Sequence, residues 1–291
     1  NYLPELKRIN SKKFRKKIIA ILAFTSLVVF VGVLRSSIDS LVLASKINLE
    51  NAAFFAFANY LASIMQAPFR SIVAITIPIL SRAWKDKDTK EIGRIYQRSS
   101  INLLCFSLFV FILIWINFSN AISFFNINPE YLIGKWVFFI MGLVTIIEMG
   151  TGVNSQIIGT STYWRFELWT SLLLTALIIP LSYTLTVKFG IIGPALSNLI
   201  SFIFYNLVRI WFLWKKFRLQ PFTSKTIEVL LFAALAYFVT YLVFNNNTGL
   251  VTMVGSSALF GLLFIAAVYF RNISPDVKPV IESVLKRFSG K

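Results

Sequence analysis

Histidine is absent from the 291 residues, and cysteine occurs once, as Cys105 inside an apolar run. The first absence removes the commonest general base and transition-metal ligand. The second rules out an intrachain disulfide. Charged residues are scarce as well, at 14% against 57% hydrophobic, where a water-soluble domain usually holds about 25% charged residues. No G-x-x-x-x-G-K-[ST] loop is present to cradle a nucleotide, and neither H-E-x-x-H nor G-x-S-x-G occurs. No metal-ligand cluster or cofactor motif stands out. We therefore expect neither a cofactor nor enzymatic activity.

What is abundant is apolar sequence in long runs. A helix needs about 20 apolar residues to cross a hydrocarbon core ~30 Å thick. Runs that meet this length lie at about 17–43, 52–84, 100–124, 132–158, 164–187, 191–214, 226–244 and 250–270. The predicted fold class is all-α: a polytopic membrane bundle of about eight transmembrane helices. The second run is too long for one straight helix and holds Pro68 and Pro78, so a kink or break is expected there. Pro194 falls in a first helical turn, where proline is tolerated. Strand-period alternation over repeated segments of about ten residues is missing, which argues against an outer-membrane barrel.

The net charge of +17 raises the question of nucleic acid, which needs its basic residues on one face of a soluble domain. Here they sit in short segments between apolar runs, and no nucleic-acid partner is expected. Anionic headgroups and topology signals account for such placement. With the N-terminus inside and eight spans threaded, the inside segments (1–17, 82–98, Arg165, 215–225 and 271–291) hold seven, six, one, four and five of the 29 basic residues. Outside stand only Lys46, Lys135 and Lys188, and Arg35, Arg70 and Arg209 lie within spans. This bias predicts both termini in the cytoplasm. Trp84, Trp136, Trp164, Trp211 and Trp214 fall near span ends, as interfacial anchors do. The chain begins at Asn1 with no secretory-signal pattern, and we expect that it lacks its natural start.

Ionisable residues inside the bilayer cost at least ~2.5–3.5 kcal/mol at a helix centre unless paired or hydrated. Arg35 and Asp39 share a helical face at i, i+4. They read equally as a local ion pair or as an anion contact with its charge-setting neighbour. Arg70 follows Pro68 and precedes Pro78. An arginine flanked by kinks is the strongest candidate for a diphosphate contact, since its planar fork makes two charge-assisted bonds; the alternative is a structural pair with a carboxylate. Glu148 precedes a polar stretch with Gly150, Thr151, Gly152, Asn154, Ser155 and Gln156. That stretch is too polar to face lipid. Glu148 reads as a protonation site or counter-ion to Arg70, and Asn154 and Gln156 as hydrogen-bond partners of sugar hydroxyls or of neighbouring helices. Arg209, near an inner span end, is expected to snorkel to the headgroups. Asn59, Gln66, Asn102, Asn198 and Asn206 read as links between helices.

Two stretches carry a family resemblance. Ala67-Pro-Phe-Arg-Ser-Ile-Val-Ala-Ile-Thr-Ile-Pro-Ile-Leu-Ser81, followed by a basic connector, resembles the eighth helix of polysaccharide flippases of the multidrug/oligosaccharidyl-lipid/polysaccharide exporter superfamily. Lys188-Phe-Gly-Ile-Ile-Gly-Pro-Ala-Leu-Ser197 is similar to that family's F-G-I-x-G-x-A-L turn, with Pro194 in place of a small residue. The Arg35…Asp39 span resembles the helix that opens the second lobe. The resemblance implies a basic cytoplasmic connector (1–17), a six-helix second lobe (18–214), two accessory transmembrane helices (215–270) and a cytoplasmic tail (271–291). It further implies a bacterial inner-membrane location, a missing first lobe as partner, and lipid-diphosphate-linked oligosaccharide as substrate. On this reading Arg35, Arg70, Asn154 and Gln156 contact substrate, and Asp39 and Glu148 act as ion-coupling or counter-ion groups. Membrane lipids are the remaining expected partner. A cation-coupled drug or metabolite antiporter of the same superfamily would want an acidic cavity rather than arginines. A membrane polysaccharide polymerase or glycosyltransferase would want large outside loops, and those here are short.

Overall fold

The computed structural model describes residues 12–245, 248–276 and 278–279; side chains at 13, 14, 17, 20, 21, 23–25, 27–29, 31 and 34–36 lie outside the description. The described chain is all-helical. It runs α1 (Lys12–Lys46), α2 (Leu49–Ile64), α3 (Ala67–Lys85), α4 (Thr89–Phe124), α5 (Gly134–Gly150), α6 (Asn154–Thr160), α7 (Trp164–Phe189), α8 (Gly193–Phe217), α9 (Ser224–Phe244) and α10 (Leu250–Phe270). Of the expected connector 1–17, residues 1–11 lie outside the described part, and Lys12 already belongs to α1.

Local chemistry sets the helix starts. Asn48 accepts from the Asn51 amide at 2.8 Å ahead of α2. Asp88 accepts from the Glu91 amide at 3.0 Å ahead of α4. Thr223 and Thr226 form a reciprocal capping box on α9. The long second apolar run breaks as expected: α2 and α3 meet at 48°. The bend sits at Met65–Gln66, one residue short of Pro68, whose ring occupies the first turn of α3. Pro78 lies inside α3 without ending it.

The expected fourth run is shorter than predicted as a helix, because the chain turns at Thr151–Val153. Gly152 takes φ +62° there, and an added Cβ would lie 2.8 Å from the Ser99 hydroxyl. Only glycine meets both conditions. The polar stretch after Glu148 is therefore a turn and a short helix, not a continuous span.

Helices α7 and α8 form an antiparallel hairpin closed at Gly190–Gly193. Gly193 is pressed against the Leu185–Thr186 backbone, where a Cβ would sit at 2.4 Å. Along the hairpin Ser197 bonds the Ile178 carbonyl, Ser171 meets Tyr205, and Arg209 meets Glu167. Helix α1 packs on α2 and α7, α5 packs on α2, α4 and α8, and the α9–α10 pair packs on α4. The main core gathers Phe55, Met65, Leu104, Phe111, Phe138, Val229 and Phe260.

Large apolar side chains also cover the outside of the bundle. Ile75, Leu231, Leu235, Leu262 and Val251 are all more than half exposed, a surface that water would not tolerate but acyl chains would. Among the described residues five helical stretches are long and apolar enough to cross a membrane, or six if the bent α2–α3 pair counts as one. One of the five, Trp164–Phe217, is the α7–α8 hairpin folded back on itself. The protein is membrane-embedded.

Contacts also sort the helix ends. Trp84 and Tyr163 both pack against Phe217, tilted and edge-on, Arg98 reaches Asp276, and Lys225 reaches the Asn272 carbonyl. The described basic segments 82–98, 215–225 and 271–276 therefore meet at one end of the bundle. Lys46, Lys135 and Lys188 belong to the other, where Lys46 lies over Tyr183 and Phe54 meets Tyr131.

Candidate functional site

Among the described residues, two buried polar clusters and the exposed Arg70 interrupt this apolar body. The larger cluster lies in the basic half of the bundle, where α5, α6, α7 and α8 meet. Arg209, roughly two turns before the end of α8, is 3% exposed. Its guanidinium pairs with Glu167 from the first turn of α7 and reaches the Asn154 carboxamide oxygen at 3.4 Å. It also lies 3.7 Å from the Tyr205 ring centroid, close enough for a cation–π contact. Around it, Asn154 and Thr151 donate to the Asn206 carboxamide oxygen at 3.0 and 2.9 Å, and Ser155 donates to Glu167 at 2.7 Å.

The expected snorkelling of Arg209 is overturned. The side chain turns inward because the hairpin brings it a carboxylate, and a buried charge with such a partner has no need to reach the headgroups. Glu167 drew no attention in the sequence, yet a signal existed. Glu167 opens α7 and Arg209 lies near the end of α8, and antiparallel helices joined by a tight turn bring the start of one beside the end of the other.

The second cluster is centred on Asp39, 6% exposed in α1. Ser182 of α7 donates to one carboxylate oxygen at 2.8 Å, and Asn198 of α8 to the other at 2.6 Å. Asn198 and Asn206 are thus the interhelical links they were expected to be. The Arg35 side chain lies outside the described residues.

The remaining candidates are spread. Asn154 belongs to the Arg209 cluster. Gln156 is half-buried two residues on, and its Oε1 has no hydrogen-bond partner among the protein atoms. Glu148 is half-buried near the end of α5. Arg70 is exposed on α3, just past the bend. It makes no ion pair with a described carboxylate, Glu148 included. The structure thus brings Asn154 to Arg209 but leaves Arg70 and Asp39 apart from that cluster.

A third polar group closes the basic end. After α10 the chain folds back on α4, burying Ile273 and Ser274. Arg98 and Asn102 both donate to Asp276, and Ser274 donates to Asn102. The Arg98 bond, reinforced by Asn102, holds the Asp276 carboxyl below the ordinary carboxylate range. Part of the expected tail is therefore docked. It borders a cleft of about 390 Å³ with Ile72, Ile79 and Arg94 on its walls.

Comparison of the chain with family models, with curated proteins and with solved structures gives no match.

Proposed function

We propose that this chain is one wall of a transporter that flips lipid-diphosphate-linked oligosaccharide across the bacterial inner membrane for polysaccharide export, its other wall being a separate six-helix lobe. In this reading α1, the α2–α3 pair, α4, α5, α7, α8, α9 and α10 are eight crossings, and the basic ends, including both termini, face the cytoplasm. Rocking of two such bundles about a midplane site is a general transport scheme.

The observation that carries the proposal is Arg70: a cation on an apolar helix, exposed, just past a 48° bend, with no described carboxylate against it. A guanidinium so placed suits a diphosphate, which it can grip with two charge-assisted bonds. Gln156, with an unpartnered buried oxygen, and Glu148 supply polar groups near the cytoplasmic end of the same wall. The test is Arg70→Ala and Arg35→Ala in the full-length protein, scored by surface polysaccharide at matched protein level. Export should be lost, with Arg70→Lys retaining part of it. Unchanged export in both alanine variants would sink the assignment.

A cation-coupled antiporter is favoured by one observation, the buried Asp39 held by Ser182 and Asn198. On that reading Asp39→Asn removes ion-dependent transport while Arg70→Ala leaves it unchanged.

A further inference from the structure

At the end of the bundle away from the basic segments, α4, α5, α9 and α10 enclose a pocket of about 290 Å³. Pockets for whole drug-sized ligands run from about 300 Å³ upward, so this one suits a headgroup. Its lining is polar and aromatic and contains no carboxylate. It holds a single cation, Lys135, half-buried. The ammonium donates to Ser119 at 2.9 Å and lies 4.9 Å from the Trp115 ring centroid. It makes no ion pair with any described acid. Glu130, the acid nearest in sequence, accepts from Asn128 and is not part of the lining.

A half-buried ammonium in an acid-free pocket lacks a counter-ion. Two of its three N–H donors remain after the bond to Ser119. Further donors converge on the same space. The Tyr237 hydroxyl accepts from Trp115 Nε1 at 3.3 Å, which leaves its own proton free to donate, and Tyr241 and Asn120 are also part of the lining. Beside the pocket Trp136 packs edge-on against Trp115 and is 57% exposed. Tryptophan at a helix end is typical of headgroup depth. Acyl chains would cover that side chain while a polar group occupies the pocket.

We propose that this pocket binds the phosphate of an anionic membrane lipid, with Lys135 as its charge partner and Tyr237 and Ser119 beside it, fastening the α9–α10 pair to the rest of the bundle. The site does not depend on the transport reading: it lies at the opposite end from the Arg209 cluster and shares no residue with it.

The test uses the full chain purified in a neutral maltoside detergent, with thermal unfolding followed as ligands are added. Dihexanoyl phosphatidylglycerol should raise the unfolding temperature saturably by mass action, and dihexanoyl phosphatidylcholine much less. In Lys135→Gln the apparent affinity for the anionic lipid should fall about tenfold or more, as for a lost charge-assisted hydrogen bond, whereas Lys135→Arg should retain it. Thr252→Leu, which narrows the pocket without touching the ammonium, should weaken binding too and serves if Lys135→Gln does not fold. An undiminished response in Lys135→Gln, or no saturable rise with phosphatidylglycerol, overturns the site. An equal rise with inorganic phosphate or glycerol phosphate overturns the lipid assignment.

Discussion

Arg70 and Arg209 stand in the same kind of sequence, an arginine surrounded by apolar residues, and the fold treats them oppositely. Arg209 is enclosed, paired with Glu167, bonded to Asn154 and covered by Tyr205. Arg70 is exposed on α3 with no described carboxylate beside it. The difference lies in their helices. Helix α8 has α7 antiparallel along its whole length and α5 and α6 against it, whereas α3 touches α4 and α6 and leaves most of its surface open. A cation among packed helices must find a protein partner. One on an open face is left for water, lipid phosphate or a ligand. Depth within an apolar run is a poor guide to role, because the neighbouring helix decides.

The sharpest way to break this contrast is to remove Arg209. Arg209→Met leaves Glu167 without its cation and should cost about 3–5 kcal/mol, the usual toll of an orphaned buried charge. Arg209→Met with Glu167→Met should recover most of that loss, and thermal unfolding in detergent measures both. A recovery absent from the double variant would mean that Arg209 acts through Asn154 and Tyr205 instead. Next comes Asp39→Ala, which strands the Ser182 and Asn198 donors and should cost about 1–3 kcal/mol by the same assay. It tests whether the second cluster is as structural as the first.

Asp276→Asn should change global stability by less than about 1 kcal/mol, since its pair with Arg98 is half-exposed. Hydrogen exchange at 273–276 should nonetheless rise. The folded carboxyl titrates below its ordinary value, so its contribution is fully present above that ordinary value and is lost as pH falls through the lowered one. The clasp should therefore be indifferent to pH between 6 and 8 and open only in strong acid; release at pH 6 would contradict the pairing. The smallest effect belongs to Arg70→Ala, within about 0.5 kcal/mol, as for an exposed side chain without partners. A large destabilisation there would erase the contrast with Arg209.

Much of this organisation was legible in the residues. The 57% apolar content arranged in runs forces helices with apolar exteriors, and Pro68 announced the bend next to it. Asn198 and Asn206, amides in apolar helices, had to find partners, and did. Other features were not legible. Gly150, Gly152 and the polar residues after Glu148 read as a continuing helix, yet the close approach of Ser99 from α4 turns the chain there. The docking of Ser274 and Asp276 on α4 depends on residues more than 170 positions apart, a distance over which no local pattern carries information. Lys135 counted in the sequence only as one of three basic residues outside; its acid-free pocket exists because α9 and α10 close over Trp115.

By itself the sequence determined the class of this protein, the bend beside Pro68 and several of its helix starts. Those properties follow from local chemistry: the length of an apolar run, the missing N–H of proline, the side-chain oxygen of Asn48 or Asp88 at a helix start. Only the tertiary structure decided what each ionisable residue became. The charge on Arg209 is neutralised because a hairpin register places Glu167 opposite it. The charge on Arg70 stays open because it lies on the exposed face of α3, away from its contacts with α4 and α6. The energy of a charge in an apolar medium is set by what stands within a few ångströms, and in a helical bundle those neighbours come from other helices.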